Sequence, residues 1–307
     1  KLLNLNLTLK TLIMKNILSI LLASVLLIGC GGNTKKNSNE GTPKLVKKYY
    51  ENGKLKSEEN IRYDADSDAD TDYDGVCKYW YENGQLSKEE NYKDGYQHGL
   101  SKEWYDNGQI KFEYNYKDRW KNGVIKEWSY NGQLRKEENW ENRKKQGLSR
   151  TWSFNGQLIT ETNYKDDEVD GVEKYWYKDG QLSKEENYKD GKNHGFRKAW
   201  NEDGQLQREE IYKDGKNHGL SKKWYDNGQL YLERNFKDGY QHGLCKEWYD
   251  NGQIKSERNY KDGNKHGLCK EWYDNGQIKS ERNYKDDEVD GLFRVWNING
   301  VLIEEGI

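Results

Sequence analysis

Five histidines are the side chains of this sequence whose chemistry first suggests a metal or catalytic site: His98, His194, His218, His242 and His266. Each lies six residues before a tryptophan, and other copies of that place carry Asp74, Asn122 or Gln146. A metal-binding or catalytic histidine does not exchange with such residues, whereas many short polar side chains hydrogen-bond to turn backbone. Histidines on stacked repeats would also lie about 10 Å apart, too far to share a zinc ion. The pattern therefore favours turn residues over metal ligands.

Three cysteines could form disulfides in an exported protein. Cys77, Cys245 and Cys269 each lie three residues before a tryptophan, where Ser101 stands in another copy. If successive copies stack, Cys245 and Cys269 are two strands apart, beyond the Cα separation of about 7 Å that a disulfide can bridge. We therefore expect free thiols.

An acidic segment is the remaining candidate for ion binding, with aspartate at every second position: Asp64, Asp66, Asp68, Asp70, Asp72 and Asp74. Asp70, Asp72 and Asp74, followed by Gly75, resemble the start of a calcium-binding loop. The twelfth position is Tyr81 instead of the glutamate that binds calcium through both oxygens. Two interpretations stay open, a weak calcium site at these three aspartates or a solvated acidic loop. No other metal site and no cofactor is predicted.

A repeat of 24 residues organises the sequence around these groups. Its marker is a tryptophan column: Trp80, Trp104, Trp128, Trp152, Trp176, Trp200, Trp224, Trp248, Trp272 and Trp296. Tyr49 takes the same place in a first, less regular unit, which makes about eleven units. Repeats of this length are typical of chains in which each unit packs mainly against its neighbours.

Two glycines divide each unit, one four residues after the tryptophan (Gly108) and one five residues before it (Gly99). The first glycine is usually preceded by Asn or Asp, which between alternating segments is typical of a β-hairpin turn. The pattern thus predicts that each unit consists of a strand, a tight turn at the first glycine, a second strand and a looser turn marked by the second glycine. The fold class is all-β, an elongated single-layer antiparallel sheet of about 22 strands made from hairpin repeats.

Apolar residues recur four before and six after each tryptophan, and an aromatic residue recurs twelve after it. A three-residue loop with a glycine bulge would place Trp104 opposite Ile110 and keep these rows on one face. A two-residue turn would place Lys102 opposite Glu113 and split them between faces. We favour the first arrangement because a single apolar face fixes strand register.

Two charged columns are equally regular, Lys or Arg two residues before the tryptophan and Glu nine residues after it. They form either a charged binding surface or two solvated rows that offset each other. The chain is 34% charged with a formal net charge of −2, which favours the second interpretation and gives no electrostatic reason to expect a nucleic-acid partner.

The N-terminal segment has a different character. The only methionine, Met14, precedes an apolar stretch at 17–28 that is short for a membrane span but suits a signal peptide. Residues 27–30, Leu-Ile-Gly-Cys, resemble the lipobox of bacterial lipoproteins. That resemblance implies cleavage before Cys30 and acylation of this residue. The alternative is a plain secretory signal with an incidental cysteine.

These features divide the chain into four predicted segments and predict where the protein is located in the cell. Residues 1–13 lie upstream of the native start, 14–29 form the signal peptide, and 30–46 carry the lipidated cysteine and a flexible tether. Residues 47–307 form the repeat domain. We expect the protein in the bacterial cell envelope, anchored to a membrane by lipid.

One unit, residues 242–263, reads His-Gly-Leu-Cys-Lys-Glu-Trp-Tyr-Asp-Asn-Gly-Gln-Ile-Lys-Ser-Glu-Arg-Asn-Tyr-Lys-Asp-Gly. It resembles the MORN repeat variant, and proteins made of such units are often grouped as YwqK-family antitoxins of toxin–antitoxin systems. The resemblance implies a non-enzymatic β-repeat protein that binds another protein, such as a neighbouring toxin. Because the lipobox departs from a cytoplasmic antitoxin, neutralisation would here take place in the envelope.

The leading functional hypothesis is a surface-tethered protein that binds another protein, and it is not an enzyme because every candidate group is one copy of a series. The rival is a glycan-binding module that stacks sugars on tyrosines one residue after the tryptophan: Tyr81, Tyr105, Tyr177, Tyr225, Tyr249 and Tyr273. A third hypothesis is an envelope spacer without a specific ligand. Exposed tyrosines would favour glycans, and an exposed apolar patch would favour a protein partner.

Overall fold

The computed structural model describes residues 42–63 and 71–307. All regular structure in these residues is β, and 29 strand segments form one antiparallel sheet of successive hairpins. The segments are β1 (Lys44–Tyr49), β2 (Leu55–Tyr63), β3 (Thr71–Tyr73), β4 (Gly75–Trp80), β5 (Leu86–Lys93), β6 (Tyr96–Gln97), β7 (Gly99–Trp104), β8 (Ile110–Lys117), β9 (Trp120–Lys121), β10 (Gly123–Trp128), β11 (Leu134–Glu141), β12 (Lys144–Lys145), β13 (Gly147–Trp152), β14 (Leu158–Lys165), β15 (Glu168–Trp176), β16 (Leu182–Lys189), β17 (Lys192–Trp200), β18 (Leu206–Lys213), β19 (Lys216–Asn217), β20 (Gly219–Trp224), β21 (Leu230–Lys237), β22 (Tyr240–Gln241), β23 (Gly243–Trp248), β24 (Ile254–Lys261), β25 (Asn264–Lys265), β26 (Gly267–Trp272), β27 (Ile278–Lys285), β28 (Glu288–Trp296) and β29 (Leu302–Gly306). The all-β hairpin-repeat fold is confirmed. No helix in this part of the chain is long and apolar enough to cross a bilayer.

Seven of the segments, each two or three residues long, precede the first strand of a unit. The remaining 22 are the two strands of each of the eleven units. The short β6, for example, is separated from β7 by His98 alone, whose backbone N–H donates to the Asn91 carbonyl at 2.8 Å. The histidine column thus occupies a bulge inside the strand, directly after the turn between units.

The turn inside each unit is the three-residue loop that the sequence predicts. In the third unit the Tyr105 N–H donates to the Gln109 carbonyl at 2.8 Å, and the Gly108 N–H donates to the Tyr105 carbonyl at 2.9 Å. Gly108 has a φ of 83°, which only glycine adopts without strain. Asn107 accepts the Gln109 N–H at 3.0 Å and donates to the Tyr130 carbonyl of the next unit at 2.9 Å. This asparagine therefore closes its own turn and ties it to the following one.

The turn between units is tighter than the sequence suggested. Lys93 and Tyr96 pair directly across Asp94 and Gly95, whose φ angles of 49° and 79° are typical of a two-residue type I′ turn. The prediction that Gly99 marks this turn is wrong, because Gly99 begins β7 beside the bulge. The looser turn lies inside the unit, and the tighter one connects units.

A second bulge decides which side chains share a face. Trp104 pairs with Ile110, as expected, but Glu103 pairs with Phe112, so Lys111 is an extra residue in its strand. Beyond it, Lys102 pairs with Glu113, the register of the rejected alternative. The prediction of one apolar face is therefore wrong, because one inserted residue shifts the alternation of every side chain that follows.

The resulting sheet has two chemically distinct faces, shown here by the ninth unit. The Trp face carries the tryptophan, the aliphatic residue, one charged column from each strand and an asparagine: Leu244, Lys246, Trp248, Glu257 and Asn259. The Tyr face carries the side chains of the alternate positions: Cys245, Glu247, Ser256, Arg258 and Tyr260. The other units place their equivalent residues in the same way.

Most of the buried side chains of the described chain lie on the Tyr face and are small or polar, such as Cys77, Ser101 and Glu90. The buried glutamates have partners. Glu90 accepts hydrogen bonds from the Tyr92 hydroxyl at 3.0 Å and from the Gln97 amide at 2.6 Å, and the Lys88 ammonium lies at 2.8 Å. Such pairing is the condition under which a buried carboxylate is tolerated. The interior is therefore a hydrogen-bonded polar layer beside half-buried tyrosines.

Candidate interaction surface

A continuous row of ion pairs runs along the Trp face. In every unit the Lys or Arg two residues before the tryptophan position lies within 4 Å of the Glu nine residues after it, at 2.7 Å for Lys47–Glu58, 3.4 Å for Lys102–Glu113 and 2.7 Å for Arg294–Glu305. The two columns thus neutralise each other across strands, the arrangement predicted for rows that offset. Each half-exposed pair contributes only a few tenths of a kcal/mol to about 1 kcal/mol. The row leaves little net field to attract a charged partner.

An exposed aliphatic row runs beside the ion pairs on the same face. Nine of the eleven units expose the residue four before the tryptophan position by 36% to 52%: Leu45, Val76, Leu100, Val124, Val172, Phe196, Leu244, Leu268 and Leu292. Asparagine side chains hold the backbone of this row in place. The amide of Asn259 donates to the Leu268 carbonyl at 2.8 Å, and that of Asn187 donates to the Phe196 carbonyl at 2.9 Å. Two strand spacings, about 10 Å, separate successive members. The Trp face therefore offers apolar contacts at regular intervals.

The tyrosines proposed to stack sugars connect neighbouring units instead. Each of them donates its hydroxyl to the backbone carbonyl of the tryptophan in the next unit, and Tyr50 of the first unit does the same, at 2.6 to 3.0 Å. The seven donors are Tyr50, Tyr81, Tyr105, Tyr177, Tyr225, Tyr249 and Tyr273. Burial raises the pKa of the Tyr81 and Tyr249 phenols above the usual value. Tyr81 and its five equivalents are half-buried, so the exposure that would favour the glycan hypothesis is not found at these six tyrosines. We call these seven residues the tyrosine ladder.

The histidine column faces the aspartates of the next turn. His98 Nδ1 lies 3.4 Å from Asp118 Oδ1, and the other four histidines lie 3.3 to 3.6 Å from the equivalent aspartates. No group of three His, Cys, Asp or Glu side chains that could hold a metal ion occurs in residues 42–63 and 71–307. The geometry agrees with a structural role at the bulge and the turn.

The sequence matches the MORN repeat variant family at ten places: residues 44–62, 73–94, 97–118, 121–142, 145–166, 169–190, 193–214, 217–238, 241–262 and 265–286. These matches cover more than half of the chain. The chain belongs to the MORN repeat variant family. Its MORN repeats coincide with the units defined by the tryptophan column, apart from the last unit, which ends the sheet.

Other comparisons add little to the family assignment. No curated protein matches the chain. Solved structures of TcdB2-TccC3 and of TcdB2-TccC3-Cdc42 match over 85% and 84% of this chain, at 12% identity and a TM-score of 0.20. The match spans 16% of each of those longer chains. A likeness this weak bears on neither fold nor function.

The MORN repeats keep their cysteines as buried free thiols, as the strand spacing predicted. Cys77, Cys245 and Cys269 are all unpaired with another cysteine, and Cys77 is completely buried. Burial raises the pKa of the Cys245 thiol to about 11. A thiol with so high a pKa is a poor nucleophile near neutral pH, which argues for a packing role.

The proposed calcium ligands lie beside the first inter-repeat loop. Asp74 forms an ion pair with Arg62, and Asp72 pairs with Arg62 in the strand register. Asp70 lies outside the described residues, as does Cys30. Because Asp74 already has a cationic partner, any calcium ion would compete with Arg62 for it. The calcium site stays a prediction.

Sequence reasoning missed an aromatic and cationic edge at the turns between MORN repeats. The Trp120 ring is 40% exposed, and its centroid lies 3.6 Å from the Arg143 guanidinium carbon and 5.4 Å from that of Arg119. Arg119 also lies 4.9 Å from the Tyr96 ring. The available signal was that Trp120 stands outside the 24-residue column.

Proposed function

We propose that this MORN repeat protein is a non-enzymatic, membrane-anchored protein that binds another protein through its Trp face. The observation that carries the proposal is the exposed aliphatic row, which recurs in nine units at regular spacing. Exposed apolar side chains in an ordered series are typical of interaction surfaces on repeat proteins. The internally neutralised ion pairs favour a partner held by apolar contact over one attracted by charge.

The specific form of this proposal is an antitoxin-like or immunity-like role in the cell envelope. Its support is the family resemblance together with residues 27–30, which resemble a lipobox and would lipidate Cys30. A lipid anchor would hold the sheet at a membrane, where a toxin entering or leaving the cell would meet it. A Cys30→Ser variant should move the protein from the membrane fraction to the soluble fraction, and mass spectrometry should find acylation only in the parent chain.

A glycan partner is the second candidate, and one observation favours it. Tyr96, Trp120 and Tyr240 are exposed by 40% to 63% on the turns between repeats, where sugars could stack on their rings. The tyrosine ladder gives this candidate no support, because its hydroxyls are already bonded within the protein. An envelope spacer would bind neither class of partner.

The test is affinity purification of the lipidated protein from its own cells, with partners identified by mass spectrometry. A double variant, Leu244→Ser with Leu268→Ser, removes two members of the exposed row. The matched control is Lys246→Gln with Lys270→Gln, which removes two charges from the same units and the same face. Circular dichroism establishes that both variants retain the β fold.

We expect a stoichiometric protein partner whose capture is lost in the leucine variant and kept in the lysine control. Loss in the lysine control alone would mean that charge, not apolar contact, mediates binding, and would refute the proposed surface. Recovery of wall polymer alone would support the glycan candidate. Recovery of nothing would support the spacer.

A further inference from the structure

The seventh and eighth units bring several positive charges together on the Tyr face. In the first unit the lysine one residue before the tryptophan position, Lys48, donates to the glutamate ten residues after it, Glu59, at 2.8 Å. In the eighth unit the same two places hold Lys223 and Arg234. Within the described residues no ion pair of 4.0 Å or less involves Lys223. Lys223 therefore lies beside a cation at the place where the first unit supplies an anion.

Arg208 in the seventh unit is similarly detached from its usual partner. The lysines at its position in other units lie close to the glutamate two residues on, at 2.8 Å for Lys88–Glu90 and 2.6 Å for Lys184–Glu186. Arg208 Nη1 lies 3.9 Å from Glu210. That glutamate is shared with Arg197, at 3.7 Å, and Arg197 is closer to Glu186, at 2.8 Å. The carboxylates of Glu186 and Glu210 thus lie closest to Arg197, and the positive charges of Arg208 and Lys223 are only weakly neutralised.

The electrostatics of Lys223 agree with this geometry. Burial lowers its pKa, the positive charges of Arg208 and Arg234 lower it further, and Glu210 offsets them only in part. Like charges held together without a counter-ion are costly, and an anion bound between them relieves the repulsion.

A cavity of about 420 Å³ opens at this cluster. It exists because the place one residue before the tryptophan is Ala199, where two other units carry Tyr79 and Tyr175. The cationic side chains that line it are Arg197, Arg208 and Lys223. Only one acidic residue lines it, and this is Asp226, whose carboxylate accepts a hydrogen bond from the Gln207 amide. The wall is aromatic on one side, where the rings of Tyr225 and Tyr231 lie 4.9 Å apart.

We propose that this cavity, lined by Arg197, Arg208 and Lys223, binds a phosphoryl group, either free phosphate or the monoester of a small organic molecule. Guanidinium and ammonium groups are the side chains best suited to phosphoryl oxygens. The cavity is larger than phosphate itself, and the Tyr225 and Tyr231 rings offer a surface for an organic substituent. The site lies on the Tyr face and does not depend on the function proposed for the Trp face.

The test is calorimetric titration of the purified full chain with inorganic phosphate and, separately, with phenyl phosphate, in chloride buffers of matched ionic strength. Ala199→Tyr fills the cavity with the residue found at the same place in two other units, so the fold should tolerate it. Arg234→Glu supplies the internal anion that Glu59 supplies to Lys48. Lys222→Gln is the control, because Lys222 is adjacent in sequence but lies on the Trp face, paired with Glu233 at 3.1 Å.

We expect saturable phosphate binding whose affinity falls by at least about tenfold in Ala199→Tyr and in Arg234→Glu. A tenfold loss is the size of effect expected when one charge-assisted hydrogen bond to the ligand is lost. Binding should be unchanged in Lys222→Gln. Arg234→Glu should also raise the unfolding temperature in the absence of phosphate. Tighter binding of phenyl phosphate would identify an organic ester as the ligand, and equal binding would identify free phosphate. An absence of phosphate binding, or equal binding by the Ala199→Tyr variant, would overturn the proposal, and partner capture through the Trp face would be unaffected by either result.

Discussion

The tyrosine ladder gives the sharpest prediction about stability, because each of its bonds joins one unit to the next. Tyr249 donates to the Trp272 carbonyl at 2.8 Å, and Tyr81 donates to the Trp104 carbonyl at 2.7 Å. Replacing either tyrosine by phenylalanine keeps the ring and removes only the hydroxyl. The loss therefore reports on the bond between units and not on the packing of the ring.

The expected magnitude follows from the type of bond. A neutral hydrogen bond contributes a net 0.5 to 1.5 kcal/mol, so Tyr249→Phe should lower the free energy of unfolding by about 1 kcal/mol. Tyr81 and Tyr249 lie seven units apart and share no partner, so the double variant should lose about 2 kcal/mol. The reverse change is also available. Ser153 stands in the ladder position of the fifth unit, and Ser153→Tyr should gain up to about 1 kcal/mol by reaching the Trp176 carbonyl.

Urea unfolding followed by tryptophan fluorescence measures these differences. The control is Tyr240→Phe, whose ring is 63% exposed and stands outside the ladder, and it should leave the unfolding midpoint unchanged. Because the bonds lie between repeats, loss of Tyr249 should also broaden the transition by weakening coupling between neighbours. An equal loss in the Tyr240 control, or none in the double variant, would refute the reasoning.

Three further predictions concern single positions. Gly215→Ala should lower the free energy of unfolding by about 1 to 2 kcal/mol. Gly215 has a φ of +82° and open space around its Cα, so backbone strain alone causes the loss. An unchanged free energy of unfolding in urea would contradict this. The thiol of Cys245, with its pKa raised by burial to about 11, should react slowly with iodoacetamide below pH 9 and show no disulfide in non-reducing mass spectrometry. Its raised pKa also stabilises the fold below about pH 9, and this contribution should be lost as pH rises toward 11. Burial would raise the pKa of Glu138, but hydrogen bonds from Lys145 and Lys136 lower it on balance. The stabilisation is present above the usual glutamate pKa of 4.5 and is lost on acidification, so Glu138→Gln should flatten the acid-unfolding curve, and an unchanged curve would count against it.

Much of the architecture could be predicted from the sequence because each unit repeats the same local chemistry. The tryptophan spacing gave the number of strands, and the Asn–Gly pair gave the three-residue loop at Gly108, since glycine is the residue that adopts this φ without strain. These features depend on residue type and spacing alone.

The tertiary structure alone decided which face each row occupies. The second bulge inserts Lys111, and the equivalent places hold Ser87, Ile159 and Tyr231, so no residue type marks it. A bulge of this kind uses backbone angles open to most residues, unlike the glycine turn, and leaves no trace in composition. Its consequence is large, because one extra residue places the aromatic row of the second strand on the face opposite the tryptophans and the glutamates nine residues after them on the same face as the tryptophans. The basic cavity beside Ala199 has the same origin, since it arises only where two adjacent units bring Arg208 and Lys223 together.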